Sequence, residues 1–454
     1  MAADRNEQDA IVDVDVIVVG GGLAGLAAAA TAARAGRRVV LVERRRLGGR
    51  ATTDERDGFL FNQGPRALYS GAEGEAVLAR LGIHPTGGAP ATADAMALVG
   101  DRLAPLPGTA AKLVASRILS VRAKVQVARL LGGLQRIRAS EHAHLTTDAW
   151  LAGKALRPDA DILLRAVIRT ATYCDDLSVL SADAAISQIQ VALGAGVRYL
   201  DGGWAQLTDA LRTVAEGSGA TVITGTTTTR IERTTDEGGN GVGQWILRAV
   251  PDADARGATA AVWRAPAVVL ATGGPDAAIG VLPEGATRQS LGWGGLGPRA
   301  TAACLDLGLR RAPTHPFVMG IGQPLYISQH CPPADLAPAG HTVVQAMRYG
   351  ARSSSEDRDQ LWSLALIAGI EKADVVVDRF LHEMVVTSGI PTAESGGLAG
   401  RPPVAVPGHR GVFVAGDWVG PIGMLADASL SSGEASAHAA ARLVEAALRV
   451  AIPT

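Results

Sequence analysis

The stretch DVIVVGGGLAGLAAAATAARAGRRVVLVE, Asp15–Glu43, decides the fold. Asp15–Val19 is a short apolar run rich in β-branched residues, as expected of a strand covered on both faces of a parallel sheet. It leads into Gly20-Gly21-Gly22-Leu23-Ala24-Gly25. In such a turn Gly20 permits the tight bend, Gly22 lets a pyrophosphate approach the backbone, and Gly25 lets the following helix pack closely on the strand. Leu26–Ala35 reads as that helix, whose N-terminal amides and dipole would face the phosphates, and Gly36 ends it. Arg38–Val42 reads as a second strand. Glu43 follows about 20 residues after the first glycine, where a carboxylate accepts hydrogen bonds from a ribose. Strand, glycines, helix, strand and acid in this order predict a Rossmann unit that holds a dinucleotide. The spelling alone would not: Gly292-Trp293-Gly294-Gly295-Leu296-Gly297 matches it too. No strand precedes that segment and Pro298 follows it, so it reads as a loop, placed in the substrate domain, without a second nucleotide.

The chain has 454 residues, long enough for two domains of ordinary size. With 47% hydrophobic and 19% charged residues it is globular, and 43 basic against 44 acidic residues leave no field to recruit nucleic acid. Cys174, Cys304 and Cys331 form no CxxC pair, so neither a disulfide framework nor a zinc site is expected. A reducing cytoplasm suits that usage. Met1–Asp15 is acidic and polar, without the basic start of a signal peptide. No apolar run approaches the roughly 18 residues a membrane span needs.

Further segments carry a resemblance. Leu47–Thr53 reads LGGRATT, Phe59–Leu68 reads FLFNQGPRAL, and Tyr199–Leu211 reads YLDGGWAQLTDAL. Gly219–Glu232 reads GATVITGTTTTRIE, Ala267–Gly274 reads AVVLATGG, and Gly411–Gly433 reads GVFVAGDWVGPIGMLADASLSSG. With the glycine turn, these resemble the flavin amine oxidase and phytoene desaturase superfamily. The resemblance implies FAD as cofactor. It implies that Gly49 and Arg50 cross the diphosphate, that Gly64 and Pro65 pass beside the flavin ring, and that Thr228 meets adenine where many relatives carry valine. Ala271 would end a strand returning to the sheet. Gly416 and Asp417 would meet the pyrophosphate and ribityl chain, and Met424, Leu425 and Ala426 the flavin N1 and O2 edge. Arg50 also has a plainer reading as the end of the solvated basic run Arg44–Arg46.

The implied architecture is α/β: a Rossmann-type FAD-binding domain, residues 10–75, 200–285 and 390–454, interwoven with an α+β substrate domain, residues 76–199 and 286–389. Within the latter, 76–199 looks helical, while Ala300–Leu309 and Thr342–Arg348 alternate like strands. The implied activity is removal of hydride from a mainly apolar small molecule, desaturase-like, with oxygen, a quinone or another acceptor taking the electrons. Amine oxidation, flavin-dependent isomerisation, and a non-catalytic lipid- or protein-binding role like that of the escort proteins for prenylated GTPases are the alternatives.

No catalytic acid or base stands out. Arg66 is a candidate for the substrate side of the flavin, orienting an anionic group or stabilising reduced flavin, against a salt bridge in the domain interface. Asp427 either caps the helix that begins there or points at N1 and O2. His330 with Cys331, and His142 with His144, lack the partners of a metal set. Cys174 reads as a buried inert thiol. Aromatics are scarce at 4%, although Trp204, Trp418 and Tyr326 are candidates for the substrate wall. Lys112, Arg117, Arg122, Lys124, Arg129, Arg136 and Arg138 punctuate an amphipathic stretch, 111–138, that suits either a lid with a solvated basic face or peripheral contact with an anionic membrane.

Overall fold

The structure is a computed structural model and describes residues 11–234, 243–251 and 261–450; the polar start of the chain lies outside them up to Ala10. Val16–Val19 and Val39–Val42 are adjacent parallel strands, with every residue buried. They sit in a five-stranded parallel sheet ordered Thr221–Ile223, Val39–Val42, Val16–Val19, Ala267–Leu270, Val412–Val414. The helix after the glycine turn runs Leu23–Arg34, one turn earlier than the sequence pattern suggests, because Gly22 is itself the N-cap in extended conformation. It is buried on all sides from Leu23 to Ala33, which is why alanine fills it. The C-terminal helix, Leu425–Val450, crosses it so closely that a Cβ on Gly433 would lie 2.3 Å from the Ala24 carbonyl oxygen.

A second layer is a four-stranded sheet, Ile11–Asp13, Ala261–Ala265, Trp245–Pro251 and Thr226–Arg233, packed over the other face of the parallel sheet. The remaining chain builds a seven-stranded sheet ordered Val375–Thr387, Ala300–Leu309, Thr342–Tyr349, Leu325–Cys331, Phe317–Ile321, Met96–Val99, Arg102–Pro105. Its central strands send alternate residues to opposite faces, while bulges interrupt the pairing along Val375–Thr387. Ala302, Cys304, Met347 and Tyr349 face a layer of helices that includes Pro158–Thr172 and Ala182–Gly194, whereas Ala303, Leu305, Leu307 and Ala346 face the helix Ser354–Ile367.

Two expectations are corrected. The stretch 76–199 is not helical throughout: Met96–Val99 and Arg102–Pro105 form a hairpin at the sheet edge. Four-residue strands with no glycine turn or other motif beside them are too short to announce themselves by pattern, and Met96–Val99 is held by parallel pairing with Phe317–Ile321, more than two hundred positions away in number. The loop at Gly292–Gly297 does lack a preceding strand, yet it packs on the nucleotide side: Trp293 lies 4.9 Å from Trp418 in the core under the parallel sheet. Among the described residues no helix is long and apolar enough to cross a membrane.

Candidate functional site

The carboxyl ends of the parallel strands open into one cavity of about 1270 Å³. Parallel strands converge their C-terminal loops, so ligands of such sheets sit there. One end is walled by Glu43–Arg46 and Thr226–Thr228; the glycine turn, Gly48–Ala51, Ala271–Gly274 and Ala415–Asp417 line the middle; Arg66, Trp204, Met384, Leu425 and Ala426 line the far end.

The glycines divide into two roles. Gly20 has φ +104, and a Cβ there would fall 2.3 Å from the Ala271 carbonyl oxygen. A Cβ on Gly25 would meet the Gly20 carbonyl oxygen at 1.9 Å. Both are required by the fold. Gly22 has ordinary dihedrals, and its added Cβ would find nothing nearer than Gly48 O at 4.0 Å, so it borders open cavity. Glu43 holds the turn: its carboxylate accepts from Gly21 N at 2.6 Å and from Arg45 N at 2.7 Å. Thr228 also lines the cavity, and its buried hydroxyl has no partner among the described residues.

Arg50 and Asp417 meet across the middle. The guanidinium donates to both carboxylate oxygens, at 2.7 and 2.9 Å, and Asp417 also accepts from Ser388 N at 3.0 Å. Burial opposes ionisation of Asp417, but Arg50 and these hydrogen bonds prevail and hold its carboxyl below the usual range. Arg50 therefore does not belong to a solvated basic run. Gly49, Gly416 and Ala271 line the cavity beside the pair.

At the far end, Leu425 begins the C-terminal helix with φ +54, a left-handed backbone uncommon for a branched residue and found at constrained sites. It and Ala426 line the cavity, with the positive end of the helix dipole behind them. Met424 does not; it is buried in the core beneath the helical layer. Gly64 and Pro65 do not line the cavity either. Gly64 adopts φ +72 against Cys304, where a Cβ would be 2.7 Å from the sulfur, and the turn delivers Arg66 to the cavity instead.

Arg66 is not in a salt bridge: among the described residues no carboxylate lies within ion-pairing distance. Asp427 takes neither expected position. It is the third residue of its own helix and lies away from the cavity lining, and its carboxylate accepts from Gly74 N at 2.9 Å, in the first turn of the helix Glu73–Arg80. Burial, with Glu73 and Glu75 near, pushes its carboxyl up to about 7. Trp418 faces Trp293 rather than the cavity, whereas Trp204 lines it. Tyr326 is buried behind the sheet face, 3.1 Å from the Tyr199 hydroxyl. Buried His330 stacks on Tyr199 at 3.8 Å, and desolvation lowers it to about 3, so it is neutral. Cys174 is buried and lies off the cavity; desolvation raises its thiol to about 12. Among the described residues no group of three His, Cys, Asp or Glu side chains is placed to hold a metal.

Sequence reading missed the end of the strand Val375–Thr387, whose Met384, Val385 and Val386 line the cavity and which leads into Ser388, the donor of the amide to Asp417. Nothing local marks it, since its role depends on a long edge strand reaching back from the other sheet. The cavity fits a dinucleotide: a turn left open at Gly22, a carboxylate at one end, a Thr228 hydroxyl beside it without a partner among the described residues, and the guanidinium groups of Arg50 and Arg66 farther along.

Comparison with known proteins agrees. The description NAD(P)-binding Rossmann-like domain matches residues 18–81. An oxidoreductase from Methanosarcina mazei superposes with a TM-score of 0.71 at 19% identity, covering 93% of this chain and 99% of that one. Cyclohexylamine oxidase from Brevibacterium oxydans gives 0.66 at 18% identity, with coverage of 95% and 100%. A fatty acid isomerase from P. acnes that produces CLA gives 0.67 at 12% identity, with coverage of 93% and 97%. No curated protein sequence matches the chain. The chain shares the fold of these proteins, with a Rossmann-like nucleotide-binding unit within it.

Proposed function

We propose that the chain is an FAD-dependent oxidoreductase that takes hydride from a mainly apolar small molecule. The observation that carries this reading is the continuous cavity from Glu43 and Thr228, past the open Gly22 turn, to Arg66 and Leu425. Bound there, a flavin supplies a hydride acceptor whose electrons pass on to oxygen, a quinone or another carrier. Glu43 would bind ribose with the lone pairs its turn amides leave free. Gly22 and Gly49 leave room for the diphosphate, while Arg50, already neutralised by Asp417, orients without adding a full charge. Leu425 and Ala426 present backbone and helix dipole to the far end, where negative charge is stabilised. Trp204, Met384 and Val386 keep that end apolar and exclude water.

Amine oxidation is the second reading, since cyclohexylamine oxidase shares the fold. Charge disfavours it here. Arg66, with no carboxylate in ion-pairing distance among the described residues, repels an ammonium group, and the cavity carboxylate Asp417 is committed to Arg50. Purification decides the cofactor: yellow protein that releases FAD supports the reading, and a colourless chain that takes up none overturns it. Anaerobic bleaching by one class among polyenes, terpenoids, porphyrinogens and amines then selects the substrate class.

A further inference from the structure

We propose that Arg66 is a carboxylate-binding subsite, so that the substrate is an apolar molecule ending in an acid group; this rests on reading the cavity as the flavin site and names what lies beside it.

Other buried arginines turn the ends of their guanidinium groups to acceptors, even where an Nε is left without one among the described residues, as at Arg169 and Arg401. Arg379 donates to Asp306 and Asp54, Arg348 pairs with Asp357, and Arg50 pairs with Asp417. Arg401 donates to the carbonyl oxygens of Asp417, Ile422 and Gly423. Arg66 differs. Its Nε donates to Gln63 O at 3.1 Å, and its Nη2 is shielded from solvent without a partner among the described residues. The guanidinium lies 5.9 Å from the centre of the Trp204 ring, within cation–π reach, and the ring supplies no hydrogen-bond acceptor in its plane.

An arginine so placed remains charged. Desolvation and the neighbouring Arg50 lower it only to about 10, well above neutrality. A shielded cation with an unused donor costs free energy unless an anion meets it, and the planar fork of arginine suits a carboxylate. The walls around it select the rest of the ligand: Trp204, Met384, Val386 and Leu425 offer apolar surface. A ligand with an acid head and an apolar body satisfies both.

The test uses the FAD-loaded protein and two probes of equal chain length, decanoate and 1-decanol, with binding read by calorimetry. Arg66→Met should weaken decanoate about ten- to a hundred-fold, the loss expected of one charge-assisted contact, and leave 1-decanol almost unchanged. Arg66→Lys should fall between. Should the methionine variant fail to fold, the unaltered protein decides: its decanoate affinity must fall with rising salt while that for 1-decanol does not. Equal affinity for the two probes in all proteins, or no decanoate binding, overturns the subsite. So does a midpoint potential lowered in Arg66→Met with decanoate affinity intact, which would assign the charge to the flavin. Visible absorbance separates the two readings: colourless protein that still needs Arg66 for decanoate removes the flavin reading alone, and yellow protein indifferent to head-group charge removes the subsite alone.

Discussion

Arg50 and Asp417, 367 positions apart, join the segment after the second Rossmann strand to the turn before the last helix through hydrogen bonds of 2.7 and 2.9 Å. Asp417 is 2% exposed and Arg50 30%, so the pair is sheltered on the acid's side and reaches the cavity on the base's. Removing one partner strands the other. We expect Asp417→Ala to cost about 3 kcal/mol, because it orphans the Ser388 amide as well as Arg50. Arg50→Ala should cost less, given its exposure. The double variant should lose less than the sum, as two residues in one network do. Asp417 titrates below its unfolded range, so its contribution is present above about pH 4 and disappears as pH falls through the folded value. Urea denaturation of the four proteins checks this, and strict additivity would show that the pair is uncoupled.

The glycine turn separates a folding requirement from a binding one. Gly25→Ala places a methyl 1.9 Å from Gly20 O and Gly20→Ala one 2.3 Å from Ala271 O; both should lower the melting temperature before any cofactor is added. Gly22→Val should melt normally without cofactor, since its Cβ meets only Gly48 O at 4.0 Å, and should lose FAD binding because the side chain fills the phosphate approach. Glu43→Ala should weaken FAD by about 1 to 3 kcal/mol through the ribose and the loosened Gly21 amide. Fluorescence titration of FAD beside apo-protein melting curves tests all four. A Gly22→Val protein that binds FAD normally would remove the cradle.

The parts legible in sequence were those whose chemistry is local. Val16–Glu43 announces strand, turn, helix and acid within thirty residues, and each takes its place in the parallel sheet. Arg66 announced itself only as a charge beside a Gly-Pro turn. Its lack of a partner depends on what Met384, Trp204 and Cys304 do around it, and these come from three distant segments. Asp427 misled for a related reason. A carboxylate near a helix start reads as a cap of that helix, and the amide it serves, Gly74, lies 353 positions earlier.

Asp427 carries a pH dependence of stability with a definite sign. Its carboxyl is raised to about 7 by burial first, with Glu73 and Glu75 adding to it and the Gly74 hydrogen bond opposing. A raised folded value means a contribution fully present below about pH 4 and lost as pH climbs through 7. Asp427→Asn, which stays neutral, should gain on the unaltered protein as pH rises from 5 to 8. The flavin potential should move little, because Asp427 is off the cavity lining. Melting curves across that range give the answer: a difference that stays flat with pH means the carboxylate is not held at a raised value.

The last prediction concerns the basic stretch, where the structure adds a fact the pattern did not contain. The helix Val121–Gly133 buries only Ala123 and Val127, and Val121, Arg122, Val125 and Arg129 recur at spacings of three and four along its outer side. Val121 is 77% exposed, as is Val114 to 75% on the short helix Ala110–Ala115 before it. An anionic bilayer accommodates both residue types: the guanidinium groups meet head groups and the valines enter the interface. We expect the protein to sediment with phosphatidylglycerol vesicles and not with phosphatidylcholine vesicles, and the binding to weaken with salt. Arg122→Glu with Arg129→Glu should cost about 1 kcal/mol per charge removed, and more once reversal repels the surface. Val121→Ser with Val125→Ser should weaken binding without lowering stability, because neither valine packs in the core. Equal recovery with neutral and anionic vesicles, or none with either, would leave the stretch a solvated lid.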